Sequence, residues 1–375
     1  MARTGFALLE FNPGSNLSKK KKLRDGLSSV LQIGNTLWVT NDETVSLERL
    51  THQGRNADGV DQYGDHVQFA LNDYLRLPVP PPTDPKEIIE ADLEGLDYRD
   101  GYLWMVGSHS LKRKKPKEEN SAEENFQRLE KVSSDGNRFL LARIPLVEEN
   151  GTYTLKKSVV LSDRKLVAAQ LHGDEQKNDL IKAMRQDKHL KSFLAIPGKD
   201  NGIDFEGLAV VGNRLFIGLR GPVLRGWATI LEVEPEEGDK ETATLRLKKI
   251  GSGGLPYRKH FLQLGGLGIR DLCTEGSDLL ILAGPTMDLD GPVTVFRWPN
   301  GAQPNVESMV FENDLAVILV LPYGQGKNKG TDHAEGMTLL APEDSTGPSV
   351  MVVYDAAGTN RIHGENVVET DIFML

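Results

Sequence analysis

A phrase that returns three times governs what this chain can fold into: Glu94-Gly95-Leu96, Glu206-Gly207-Leu208 and Glu335-Gly336-Met337. Each stands two residues after an acidic or polar position (Asp92, Asp204, His333) and opens an apolar, strand-like run. In EGLAVVGNRLFIGLRGP the run passes through a Gly-Asn turn into a second alternating strand, the pattern of a β-hairpin. EGLDYRDGYLWMVGSHS repeats it around Asp100-Gly101. Self-similarity at a long, regular spacing marks an architecture of stacked units, each too small to bury its own apolar face.

With the hairpin as template, two degenerate copies emerge. SSVLQIGNTLWVTNDE aligns Gly34-Asn35 with Gly212-Asn213 and sets Ser28 opposite Glu206; IRDLCTEGSDLLILAGP aligns Gly276 with Gly212 and sets Arg270 opposite Glu206. The anchors are then 28, 94, 206, 270 and 335, with steps of 66, 112, 64 and 65. A period near 65 holds four antiparallel strands with long outer loops, which predicts an all-β fold: one β-propeller domain over 1–375, with five blades. In the second unit TYTLKKSVVL, and in the third TLRLKKI, are expected as outer strands. The last unit runs out of chain, so FALLEF at 6–11 is expected to complete it and join the two ends of the chain.

The long step carries LHGDEQKNDLIKAMRQDKHLKSFLAI, whose Leu180, Ile181, Met184, Leu190 and Phe193 are spaced as on a helix. Residues 165–200 are therefore expected as a helical insertion after the second blade; a disguised sixth blade there is the alternative. Residues 111–125 are charged and poor in apolar side chains, and read as a mobile surface loop. The KRKKPK run within it suits a polyanion, but adjoining glutamates favour a solvated loop.

A net charge of −10 argues against nucleic-acid and anionic-membrane partners, which positive potential attracts. A single cysteine, Cys273, excludes an internal disulfide and a cysteine-built metal site, and reads as a small buried hydrophobe. The start MARTGFALLEF lacks a signal-peptide pattern and no apolar run reaches 18 residues, so a cytoplasmic protein is expected. Neither GxSxG, HExxH, an EF-hand loop nor a phosphate-binding loop is present.

Equivalent positions of a closed propeller share one circle around its axis. Ser28, Glu94, Glu206, Arg270 and Glu335 are expected to converge there, and carboxylates held so close need a cation. Calcium, with Glu94, Glu206, Glu335 and Ser28 among its oxygen ligands, is one candidate, magnesium a weaker one. An ionic network with Arg270 alone is the other. A second circle, at the ends of the second strands, would bring Asp42, His109, Arg220 and Asp355 to one mouth. Arg220, Arg225 and Arg270 are candidate ligands for an anionic substrate, and His109, His333 and Asp42 candidate acid–base groups. Two functions follow: a metal-dependent hydrolase of a small phosphorylated or otherwise anionic substrate, or a noncatalytic propeller that binds a ligand or a protein.

The phrases RDGLSSVL with TLWVTNDE, ADLEGL, IDFEGLAVVGNRLFIGLRGPVL with GWA, GGLGIRDL and DHAEGM span residues 24 to 355. In these the chain resembles a bacterial family catalogued as domain of unknown function 3616. That resemblance implies a propeller-like fold and no established activity. A weaker resemblance, through Ser or Glu at the start of each innermost strand, is to five-bladed calcium-activated nucleotidases of the apyrase type. It implies a tunnel calcium, and Arg270 departs from it.

Overall fold

Every anchor residue of the repeat sits at a β-bulge. The computed structural model describes residues 3–18, 21–82, 89–238, 243–340 and 347–375. In it the five copies begin strands β1 (Leu27–Ile33), β2 (Leu93–Arg99), β3 (Asp204–Val211), β4 (Gly268–Glu275) and β5 (His333–Leu340). Each pairs antiparallel with the strand that follows it, through a turn that contains a left-handed glycine in the first four copies. The register slips across Ser28, Glu94, Glu206-Gly207, Arg270 and Glu335. A bulge bends a strand and re-aims the side chain at the extra position, so the same local defect is used five times.

The glycine after each glutamate has a separate reason. A Cβ on Gly95 would lie 2.8 Å from Leu208 N, one on Gly207 2.6 Å from Asp271 Cα, and one on Gly336 2.7 Å from Ser29 Cα. At these points the innermost strands of adjacent units touch backbone to backbone. Strand β1 packs against β2 and β5, β2 against β3, β3 against β4, and β4 against β5. Side chains staple the same contacts: Ser28 Oγ donates to Leu93 O (2.7 Å), Val210 N to Asp97 Oδ2 (2.5 Å), Met337 N to Asp271 Oδ2 (2.8 Å) and Gln32 N to Thr338 Oγ1 (3.0 Å).

The fold is all-β with few helices and propeller-like. The N-terminal strand Arg3–Glu10 pairs antiparallel with Val367–Met374 and parallel with Asp61–Ala70. It thereby fuses the first and last units into an eight-stranded sheet that runs from β1 to β5. Because β1 and β5 also touch, that sheet nearly closes on itself. The expected joining of the chain ends through residues 6–11 is thus present. Apolar cores lie between neighbouring sheets; Val106, Leu141, Phe205 and Leu219 belong to one of them. Each such side chain contributes roughly 1.5–3 kcal/mol when fully buried.

Sequence patterns alone misplace several outer elements. Within 165–200 the chain first completes strand Arg164–Val167 and strand Ala169–Leu171 and only then forms helix, α2 (Asp179–Met184), with short 3-10 turns after it. Leu180, Ile181, Met184 and Leu190 are buried in the core between the second and third sheets, which accounts for their spacing. Residues 152–155 form a hairpin extension on Leu141–Glu149, and Ser158–Leu161 a separate ribbon with Arg164–Val167. Ala169–Leu171 takes the outer place of the second sheet, and Thr244–Leu247 crosses over to pair with it in parallel. Tyr257–Leu262 is the fourth strand of the third sheet instead. Residues 111–125 are not simply loop: Lys112–Arg113 pairs with Val132–Ser133, and α1 (Ala122–Glu130) starts at a Ser121/Glu124 capping box. Among the described residues no helix is long and apolar enough to cross a membrane.

Candidate functional site

At the bulged ends of the innermost strands, carboxyl groups crowd one mouth of the ring. Glu206 on β3 meets Arg220 Nη1 at 2.8 Å and Arg270 Nη1 at 3.4 Å. The same Arg270 nitrogen lies 2.6 Å from Glu335 Oε1, while its Nη2 donates to Pro285 O (3.1 Å). Arg220 also pairs with Asp204, and Arg138 pairs with Asp92 (2.7 Å) and with Glu90. The acidic residue two positions before Glu94 and Glu206 thus has a structural meaning, because it shares a strand end with the glutamate and holds an arginine.

Three carboxyl groups at the mouth lack such a guanidinium. Glu94 is 8% exposed, and its carboxyl has no hydrogen-bond or ion-pair partner among the described residues. Burial first, and then Asp92, Glu206, Glu335 and Asp42, push its pKa well above the ordinary range. Asp42 is raised well above in the same way, by burial and then by Asp355, Asp92 and Glu335. Asp355 is raised to about 7, mainly by burial and by Glu335, although the Ala356 N–H, donating to its Oδ1 at 2.7 Å, pulls it back. A buried carboxyl without a cation keeps its proton because water no longer solvates the anion.

These groups line a cavity of about 360 Å³. Asp42, Asp92, Glu94, Asp204, Glu335 and Asp355 form its acidic side, with Arg138 and Arg220 among them; residues 110–116 and Leu129 cover it. An adjoining lobe of about 360 Å³ shares Arg220, Glu335 and Asp355 and adds Arg270, His333, Asp290 and Lys329. In that lobe His333 Nε2 lies 2.9 Å from Asp290 Oδ1, and His333 stands opposite Asp355 across the β5 hairpin.

The structure brings together Glu94, Glu206, Glu335, Arg270, Arg220, Asp42, Asp355 and His333, and it separates three residues from them. Ser28 Oγ is held in the wall of the ring by Thr40 Oγ1 (2.9 Å) and Leu93 O, so it is no ligand of the mouth. His109 follows strand Tyr102–Gly107 with φ 54°, which turns its ring into the core. There Nδ1–H donates to Gly107 O (2.7 Å), Nε2 accepts from Asn178 Nδ2 (2.6 Å), the ring stacks on Phe205 at 4.5 Å, and burial lowers its pKa to about 4. It is a neutral structural histidine rather than an acid–base group. Arg225 is exposed at the tip of a hairpin, away from both lobes. Arg220 and Arg270 do face the mouth, but their terminal nitrogens are engaged by carboxylates and by Pro285 O, so they neutralise the site instead of reaching for an anion.

Nor do the residues present fit the expected calcium, or magnesium in its place. Among the described residues no group of three or more His, Cys, Asp or Glu side chains is arranged to hold a metal ion. Two of the three glutamates already have guanidinium partners, and the serine is elsewhere. Arg138, Asp290 and the lysines of 112–115 were not singled out by the repeat, because they lie in connections rather than in the repeated hairpins.

The profile of a family described as proteins of unknown function (DUF3616) matches residues 26–371. The chain belongs to that family. No curated protein matches this DUF3616 chain. Among solved structures it is similar to the PQQ-bound aldose sugar dehydrogenase of Streptomyces coelicolor, at 10% identity and TM-score 0.37, covering 99% of this chain and 100% of that one. A candidate oxidoreductase (glucose dehydrogenase) of Thermus thermophilus matches at 10% identity and TM-score 0.36, over 98% and 100% of the two chains. The allergen Mala s 1 of Malassezia sympodialis matches at 10% and 0.32, over 92% and 78%. At these scores the likenesses carry no inference about what the DUF3616 chain does, and they lend no support to an apyrase-type relationship.

Proposed function

We propose that this DUF3616 chain is a five-bladed propeller whose mouth is a hydrolytic site for a small anionic substrate, worked by carboxyl groups. One observation carries the reading: Asp355, poised near neutrality, lies on the wall shared by the two lobes, beside His333 and its Asp290 partner. A group whose pKa lies near the working pH is the most effective proton acceptor. In this reading Asp355 takes a proton from the attacking water, and His333, held by Asp290, returns one to the leaving group. Lys115 and Lys199, which line both lobes, draw in the anion. Burial raises the Glu206 carboxyl to about 8 even though Arg220 and Arg270 oppose it, so Glu206 can hold a proton beside the groups that lack a cation. The five-blade count is supported by the cyclic order of contacts among β1 to β5.

A panel of chromogenic phosphoesters and lactones tests the proposal. Hydrolysis that is lost in Asp355→Asn supports it. If the wild-type protein binds inorganic phosphate but turns over none of the panel, the noncatalytic ligand-binding propeller replaces it.

A further inference from the structure

We infer that the cavity takes a dipolar ligand, with a primary ammonium group seated on Glu94 and an anionic group turned toward the lysines of the covering segment. The inference rests on the cavity being the ligand site proposed above, and it names the chemical class of that ligand.

Glu94 is the unusual member of its circle. Its equivalents Glu206 and Glu335 both have a guanidinium, whereas Glu94 is buried and has none among the described residues. The imbalance extends to the whole mouth: among the described residues the ion pairs to Asp42, Asp92, Glu94, Asp204, Glu206, Glu335 and Asp355 come from Arg138, Arg220 and Arg270, and Lys199 and His333 act on Asp355 only through space. A ligand cation would supply the charge that the chain leaves out. Its character is constrained by the lining. Among the described residues no aromatic side chain borders the cavity, which argues against a quaternary ammonium; such groups are held by aromatic faces. The described carboxyl groups do not assemble a metal polyhedron, but an ammonium asks only for hydrogen-bond acceptors.

The covering end of the cavity is predominantly basic, with Lys112, Arg113, Lys114 and Lys115 against Asp200, the partner of Arg113, and Asp288. Lys112 there is committed to Glu90, and Lys115 to Asp288 at 3.1 Å. Lys114, fully exposed at the rim, is crowded by Lys131, Arg128 and Lys117, which lower its pKa. Like charges packed this closely favour an anion among them. Acid at one end and base at the other, across about 360 Å³, suit a small molecule with separated charges of both signs.

Titration calorimetry on the full chain tests this with three probes: phosphoethanolamine, ethyl phosphate and ethylamine. Phosphoethanolamine is expected to bind at least about tenfold more tightly than either fragment, the effect of one charge-assisted hydrogen-bonded contact. In Glu94→Gln that advantage should vanish while ethyl phosphate binding stays within about twofold. Glu94→Asp, closer in chemistry, covers the case in which the glutamine variant does not fold. Equal binding of phosphoethanolamine and ethyl phosphate by the wild type, an advantage that survives in Glu94→Gln, or calcium alone displacing the amine would overturn the inference. The hydrolase reading fails separately: preference for the dipolar probe without turnover removes hydrolysis and leaves the ligand class intact.

Discussion

Arg270 Nη1 lies 2.6 Å from Glu335 Oε1, so a cation on β4 neutralises a glutamate at the equivalent position of β5. The same nitrogen reaches back to Glu206 on β3. One arginine in the circle therefore ties three consecutive units through their bulged ends, and its removal leaves two buried carboxyl groups short of a partner. Arg270→Met is expected to lower stability by about 3–5 kcal/mol, the usual consequence of stranding a buried charge. Arg270→Met with Glu335→Gln should recover a substantial part. Urea unfolding of the two variants measures this, and equal destabilisation would show that the loss is one of packing.

Gly207 and Gly212 both have positive φ, 82° and 60°, yet they should respond differently to alanine. A Cβ at Gly212 meets open space, so only the backbone penalty applies, about 1 kcal/mol. At Gly207 the Cβ would lie 2.6 Å from Asp271 Cα, which is backbone and cannot move aside. Gly207→Ala should cost several times more, on the order of 3 kcal/mol or above, or prevent folding. Thermal unfolding of the pair decides whether the glycine of the Glu-Gly phrase serves the contact between units or merely a turn.

The repeat was readable because all five units share the bulge, three share the close approach at a glycine and the first four share the glycine turn, and these leave residue-specific marks. That is why Ser28 and Arg270, which share no chemistry with glutamate, could still be aligned with Glu94, Glu206 and Glu335. Asp42 and Asp355 followed from the same register. The exchange of Thr244–Leu247 onto the second sheet was not readable, since local alternation identifies a strand and not its partner. His109 misled for a different reason: its strand ends at Gly107, and one left-handed residue turns the ring from the mouth into the core. Arg138, which holds Asp92, stands in a 3-10 turn between the second and third strands of its unit, outside the hairpin used as template, so the alignment did not point to it.

Asp355 should make the protein less stable as pH rises. Its folded pKa is about 7 against an ordinary 3.8, so between these values the native state keeps a proton that the unfolded chain has released. Stability then falls from about pH 4 to about pH 7 through this group. Asp355→Asn should remove that slope and stabilise the protein at pH 8 by on the order of 1–2 kcal/mol, a figure reduced from the full shift because the carboxyl faces an open cavity. Urea midpoints across the pH range check it. A variant no more stable than wild type at pH 8 would mean that Asp355 is already solvated as the anion.

His109 should act with the opposite slope and leave ligand binding alone. Burial lowers its pKa from 6.5 to about 4, so between these values the unfolded chain takes up a proton that the native imidazole refuses. The native state therefore gains stability as pH rises through this window, and loses it on acidification below about 6.5. The neutral ring is needed because Nε2 accepts from Asn178 Nδ2, and Asn178 also caps α2 through Leu180 N and Ile181 N. A proton on Nε2 would set two donors face to face and loosen the segment that packs between the second and third sheets. His109→Gln should cost about 1–3 kcal/mol at pH 7 through the disturbed hydrogen bonds, and flatten the acid side of the stability profile between pH 4 and 6.5. Binding of phosphoethanolamine should stay near the wild-type value at pH 7, because the ring faces Phe205 and Phe139 instead of the cavity. Loss of binding with stability preserved would return His109 to the site, whereas loss of stability with binding preserved fixes its role in the wall behind it.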